Sequence, residues 1–167
     1  MANPSRFTVR SLIVVVAVFA VLAALAIPPY LRVRRQLTIG NCSGNLRSLW
    51  QAQFNYATAH GSPSQILPIH TGADFWLRLQ RGPNPVITRY EVFFCVFSGD
   101  EVTPERTSFR GPSVPIYKLE ETDPCGADKE GNHGLGEGGN LLMKTGDVNS
   151  FEESDPLWIR ARTTTRP

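Results

Sequence analysis

Residues 12–27 (LIVVVAVFAVLAALAI) run without one polar side chain. Ser11 precedes this run and Pro28-Pro29-Tyr30-Leu31 extends it. A bilayer core takes about 20 apolar residues of helix. From Ser11 to Leu31 the segment meets that length, with Tyr30 at interfacial depth and arginines at both ends. A buried core helix of a soluble domain keeps a polar side, and this run has none. Beyond Arg35 the pattern changes. Residues 41–60 place Leu46, Trp50, Phe54 and Ala57 at spacings of four, four and three, and Leu49 and Tyr56 widen the same face. That periodicity predicts an amphipathic helix whose aromatic stripe packs on the domain that follows. Pro28-Pro29 is expected to kink the helix rather than end it, and Gly40 and Gly44 predict a break near residues 40–44.

The rest of the chain reads as shorter elements. Residues 61–69 form a Pro- and Ser-containing linker. Thr71 is expected to cap a short helix through Gln80, with Asp74 in its first turn, Phe75, Trp76 and Leu79 on its buried side, and Gly82-Pro83 closing it. Residues 86–98 (VITRYEVFFCVFS) are aromatic and β-branched and predict a partly buried strand. Residues 139–144 and 147–151 flank Thr145-Gly146 and predict a hairpin. Residues 157–162 alternate and predict a terminal or edge strand, and residues 114–118 a further one. Residues 104–113 and 120–139, rich in Gly, Pro and charge, are expected to be surface loops. The predicted class is α+β, a long N-terminal helix, transmembrane and then amphipathic, packed on a small antiparallel sheet. Its divisions are residues 1–31, 32–60 and 61–167.

Composition sharpens this picture in one respect. A 41% hydrophobic and 10% aromatic content over 167 residues excludes global disorder. The net charge of +2 conceals a lopsided layout. Residues 1–73 carry six arginines and no acid, while all 15 acids and the other 11 cations lie from Asp74 onward. Two environments along one chain follow. Two membrane readings compete for the first of them. A secretory signal peptide would use Arg6 and Arg10 as its basic end and Ala24-Leu25-Ala26 as its cleavage site, releasing a chain that begins at Ile27. A retained anchor would keep the segment as the membrane half of a long helix. Charge does not choose, because Arg32, Arg34 and Arg35 balance Arg6 and Arg10. No nucleic-acid partner is expected.

Candidate chemistry concentrates in residues 123–133 (DPCGADKEGNH). Asp123, Asp128, Glu130 and Asn132 are oxygen donors on a glycine-containing loop, the hard ligands that calcium takes. Their spacing is not that of an EF-hand, and a solvated acidic loop is the simpler reading. Cys95, Cys125 and His133 offer soft ligands for zinc but lack a fourth ligand and a close cysteine pair. Three cysteines on an oxidising side allow three alternative pairings, each leaving one cysteine over. Cys95 with Cys125 is the favoured pairing, closing a loop near 30 residues for about 3–4 kcal/mol and leaving Cys42 free. His60, His70 and His133 stand beside no nucleophile that spacing identifies. Residues 134–139 (GLGEGG) precede a strand and not a helix, which argues against a phosphate loop.

Three strings carry a family resemblance. Phe7-Thr8-Val9, with Ala23-Ala24-Leu25-Ala26-Ile27-Pro28 placing a proline 21 positions after Phe7, resembles the N-terminal helix of type IV pilins and type II secretion pseudopilins. Cys42-Ser43-Gly44-Asn45-Leu46-Arg47, then Asn55-Tyr56 and His60-Gly61, resembles a pseudopilin-like subgroup. His133, Gly138-Gly139-Asn140-Leu141-Leu142 and Gly146-Asp147-Val148 resemble the terminal hairpin of that same subgroup. The resemblance implies a retained helix and a single-pass protein of the cytoplasmic membrane with its C-terminal domain outside. It implies a structural protein related to type II secretion or type IV pilus systems, with other pilin-like or secretion-system subunits as partners and no enzymatic activity. Some pseudopilins bind calcium, which bears on the acidic loop. The family's processing junction falls on Arg6 and Phe7, where the family has a glycine before the phenylalanine, and Ser11 stands where the family has a glutamate. These two departures bear on cleavage and on polymerisation. The alternative is a secreted or membrane-tethered binding domain, calcium-dependent, with a cleaved signal peptide.

Overall fold

The computed structural model describes residues 9–59, 70–81, 84–96, 98–134 and 136–167. Arg6, Phe7, His60, the 61–69 linker and Gly82-Pro83 lie outside the described residues. The chain divides into two compact units, Met1–Gln36 and Leu37–Pro167. Helix α1, Val9–Ala59, is 51 residues long and contributes to both.

In the first unit α1 carries side chains that no other described residue covers. Leu12, Ile13, Val16, Phe19, Leu25 and their apolar neighbours are exposed. This is a helix long and apolar enough to cross a membrane. It does not end at Pro28 or Pro29, both of which lie inside it.

In the second unit α1 is continuous across residues 40–44, so the expected break is absent. Gly40 and Gly44 meet open space, while Cys42 and Leu46 between and beyond them are fully buried. Burial of that face outweighs the roughly 1 kcal/mol that each glycine costs a helix relative to alanine. Leu46, Leu49, Trp50 and Ala57 are buried as the periodicity requires, and Phe54 remains exposed beside Trp50.

Helix α2, Ala73–Leu77, continues as a 3-10 turn over Arg78–Gln80. It buries Phe75, Trp76 and Leu79, as predicted. Its N-cap is Gly72 at φ 61°, not Thr71, and no side chain caps it. Glycine is required here for two reasons. The φ is left-handed, and the backbone passes close to Pro167 O.

Among the described residues the strands form one antiparallel sheet of order β4-β3-β2-β1-β5. They are β1 Phe109–Pro112, β2 Pro124–Asp128, β3 Gly139–Met143, β4 Val148–Phe151 and β5 Thr165–Arg166. Helix α3, Pro156–Thr164, precedes β5. The register pairs Phe109 with Asp128, Ala127 with Leu141, and Leu142 with Val148. This α+β arrangement, with a helical spine against a small antiparallel sheet, is consistent with a pilin-like fold.

Both faces of the sheet are covered. Leu142, Cys125 and Phe109 join Leu46, Leu49, Phe75, Trp76 and Phe93 in one core, and Ala127 and Leu141 join Trp158 and Ala161 of α3 in the other. Strand β2 is therefore buried at all five positions, and β3 at four of five. Its glycines follow from close packing. A Cβ on Gly126 would stand 2.9 Å from Trp76 Cζ2, and one on Gly139 would stand 2.8 Å from Trp158 Cη2.

The 139–151 hairpin forms as expected, turning at Gly146 with φ 93°. Five strand and loop expectations are corrected. The described residues of 86–98 form no strand; they hold a 3-10 turn, Tyr90–Phe93, and Phe93 O accepts from both Thr107 Oγ1 and the Ser108 N–H. Residues 114–118 likewise hold a 3-10 turn, Ile116–Lys118. Residues 157–162 are helix α3, because Asp155 accepts the Leu157 N–H at 2.8 Å and Pro156 opens the first turn. The supposed loops 104–113 and 120–139 contain β1 and β2.

Candidate functional site

The polar centre of the second unit is built where β2, β3 and the following turn meet. Asp128 ends β2 and is fully buried. Its Oδ2 accepts the Asn140 backbone N–H at 2.7 Å and the Asn140 Nδ2 at 2.9 Å, and stands 2.6 Å from His133 Nε2. With two N–H donors already on it, Oδ2 is the acceptor, so Nε2 carries the hydrogen of His133. The His133 side chain is 1% exposed. Asn140 Nδ2 also donates to Ile39 O of α1 at 3.0 Å, and Ser150 Oγ donates to Asn140 Oδ1 at 2.7 Å. This chain of bonds joins α1, β2, β3 and β4. Two of its atoms, His133 Nδ1 and Asp128 Oδ1, are buried without a hydrogen-bond partner among the described residues. No hydroxyl is hydrogen-bonded to His133 there, so the geometry supplies no nucleophile and base in contact.

Beside this centre lies a disulfide. Cys42 of α1 is joined to Cys95, with Cα atoms 5.2 Å apart and 53 residues of separation. Both residues belong to the main core, and Asn45 Nδ2 donates to Phe94 O at 2.9 Å next to the bridge. The expected Cys95–Cys125 bridge is corrected. Cys125 is free, held inside β2, and burial pushes its thiol well above the ordinary range. The two sulfurs and a ring nitrogen of His133 all lie within 4.8 Å of one another. Of the three soft donors weighed in the sequence, Cys95 and His133 lie together and Cys125 lies outside the group, where Cys42 stands instead. The signal for Cys42 was a helical position facing the core, with no spacing to connect it to Cys95.

The four oxygen donors are not brought together. Strand β2 separates Asp123 from Asp128 by its own length, about 16 Å at 3.3 Å per residue. Asp123 pairs with Arg160 at 2.6 Å and accepts the Glu120 N–H. Glu130 pairs with Arg162 at 3.0 Å and Arg110 at 3.5 Å. Asn132 Nδ2 donates to Ser108 O at 2.8 Å. Each of the three is used within the fold, and Asp128 belongs to the histidine centre.

Sequence reasoning missed Arg110. It lies on β1 with its side chain only 11% exposed, and donates to Thr165 O at 2.7 Å and Arg162 O at 3.1 Å. Burial lowers its pKa, against the opposing pull of Glu130. With Glu130, Glu153 and Arg162 it ties the last helix and strand to the sheet. His70 is partly buried, and desolvation followed by the charge of Arg78 lowers its pKa.

Comparison of the chain with known protein families, with curated proteins and with solved structures returns no match.

Proposed function

We propose that this chain is a pilin- or pseudopilin-like, membrane-anchored structural protein related to type II secretion or type IV pilus systems. It spans the cytoplasmic membrane once, holds its C-terminal domain on the outer side, and has no enzymatic activity. The observation that carries the reading is the change of character along one helix. Over its first part α1 exposes apolar side chains on every side, and over its last part it buries a single face in the core of the second unit. A lone hydrophobic targeting peptide has no reason to continue into the spine of the folded domain. The Cys42–Cys95 disulfide supports an oxidising compartment for that domain. Arginines 32, 34 and 35 follow the apolar run and suit anionic headgroups at the bilayer surface.

Intact mass of the native protein, taken from carbonate-washed membranes, tests the assignment. Retention of the apolar segment, with a chain beginning at or before Phe7, is the expected result. A chain beginning at Ile27 and recovered in the soluble fraction refutes it. Ser11, where the family has a glutamate, makes polymerisation the next point to test, by crosslinking in the native membrane.

A further inference from the structure

We infer that Cys42, Cys95 and His133 form a redox-gated site for a soft divalent cation, with zinc as the ion it fits. The three side chains come from α1, from the segment after the Tyr90–Phe93 turn, and from the turn after β2. Their ligand atoms lie within 4.8 Å of one another. Tetrahedral zinc holds sulfur at about 2.3 Å and nitrogen at about 2.0–2.1 Å, which sets its ligand atoms roughly 3.5–3.8 Å apart. Small side-chain rotations therefore suffice once the sulfurs are no longer bonded to each other.

The histidine is prepared for this role. Its Nε2 hydrogen is committed to Asp128, and Nδ1 is buried with no hydrogen-bond partner among the described residues. A carboxylate that receives one ring N–H while the other nitrogen faces the metal is the usual support of a ligating histidine. Asp128 is in turn oriented by both nitrogens of Asn140. The Nδ1 atom is otherwise a buried polar group without recompense, and a metal bond supplies it.

The gate is the disulfide. While Cys42 and Cys95 are joined the sulfurs are not thiolates and the site takes no zinc. A dithiol opens it by exchange. The Cys42–Cys95 bond breaks, the two sulfurs gain the dithiol's two hydrogens, and the dithiol closes to its own disulfide. Zinc then displaces both thiol protons to solvent and binds two thiolates and the Nδ1 lone pair. One coordination position is left for water. Cys125 lies outside the group and plays no part.

The test uses the full chain in detergent micelles, reduced with a water-soluble phosphine. The phosphine takes oxygen from water as it becomes phosphine oxide, and it leaves no competing thiol. Cobalt(II) is the probe. The reduced chain is expected to bind one equivalent with thiolate-to-cobalt charge-transfer and tetrahedral d–d bands, which zinc erases. The oxidised chain is expected to show neither band. Asp128→Asn, which disturbs only the support, should weaken binding by about 10–100-fold. His133→Ala should weaken it further, and Cys125→Ala should leave it unchanged. No charge-transfer band in the reduced chain overturns the site, as does a band that survives His133→Ala at full affinity or vanishes in Cys125→Ala. If reduction unfolds the domain, zinc must restore its circular dichroism, because binding energy is then folding energy. Failure to restore it overturns the proposal equally.

Discussion

Replacement of Asp128 by alanine probes the buried centre most directly. In the intact protein Oδ2 serves three donors, at 2.6 Å from His133 Nε2, 2.7 Å from Asn140 N and 2.9 Å from Asn140 Nδ2. Alanine leaves the first two with nothing, whereas Asn140 Nδ2 retains Ile39 O. A buried donor deprived of its partner costs about 1–3 kcal/mol. Two such donors give a loss of about 2–6 kcal/mol, a large part of the 5–15 kcal/mol that a domain of this size commands. Asp128→Asn should cost about half as much, since its amide oxygen can take the Oδ2 position and only the new NH2 is unpaired. Urea unfolding of the full chain in micelles, followed by the fluorescence of buried Trp50, Trp76 and Trp158, measures both. A loss below about 1 kcal/mol for Asp128→Ala, or equal losses for the two variants, would refute the reading of Oδ2 as a shared buried acceptor.

Two further predictions concern the cysteines. The double variant Cys42→Ala/Cys95→Ala should lose about 4 kcal/mol, the loop-closure value for the 53-residue separation, and peptide mapping of the oxidised protein should recover a Cys42–Cys95 linked pair; a Cys95–Cys125 pair instead would contradict the structure. Cys125 is fully buried and that burial raises its pKa, so the thiol form is favoured in the folded state. Its contribution is complete below the unfolded-state pKa near 9.0 and declines above it, because the unfolded chain then releases a proton that the folded chain keeps. The wild type should therefore lose up to about 1.4 kcal/mol per pH unit more than Cys125→Ala above that pH, measured by urea midpoints, and parallel profiles would show that the thiol is not held in the core.

The helix and the hairpin were legible because each has a local cause. Sixteen apolar residues without a polar face, and then Leu46, Trp50 and Ala57 at helical spacing, need no knowledge of the rest of the fold. Gly146 serves its turn through its own φ of 93°. What escaped was decided at a distance. Pro124-Cys125-Gly126-Ala127-Asp128 has a loop's composition, yet it is the middle strand, and Trp76 and Leu142 leave no room for a side chain at Gly126 within it. Conversely, Val86 to Ser98 has a strand's composition, but its Phe93 and Phe94 are buried in the main core, which they share with Phe109, Cys125 and Leu142 of the sheet. The third helix had a local signal, Asp155-Pro156, which alternation of Leu157, Ile159 and Ala161 obscured. At the site, Cys95 and His133 were recognised as soft donors, but Cys42 lies 53 residues from its partner and only the packing of α1 on the core brings it there.

That long separation explains why one point of α1 matters more than its propensity would suggest. Gly40 and Gly44 make residues 40–44 the least helix-prone part of the second unit's spine, at about 1 kcal/mol each against alanine. Three long-range ties fall in the same stretch of α1. Ile39 O receives Asn140 from β3, Cys42 holds Cys95, and Asn45 donates to Phe94 O. Both glycines face open space, so no close approach requires them, and the ties hold the helix where its own residues favour it least. Local weakness and tertiary restraint thus coincide, and the disulfide is the largest of the restraints, at about 4 kcal/mol. Reduction should therefore loosen α1 first around residues 39–46, seen as faster amide exchange there than at Leu49 and Ala52, with the apolar first unit unaffected. Uniform exchange along the buried spine after reduction would mean that core packing alone sets the helix, and that the three ties merely decorate it.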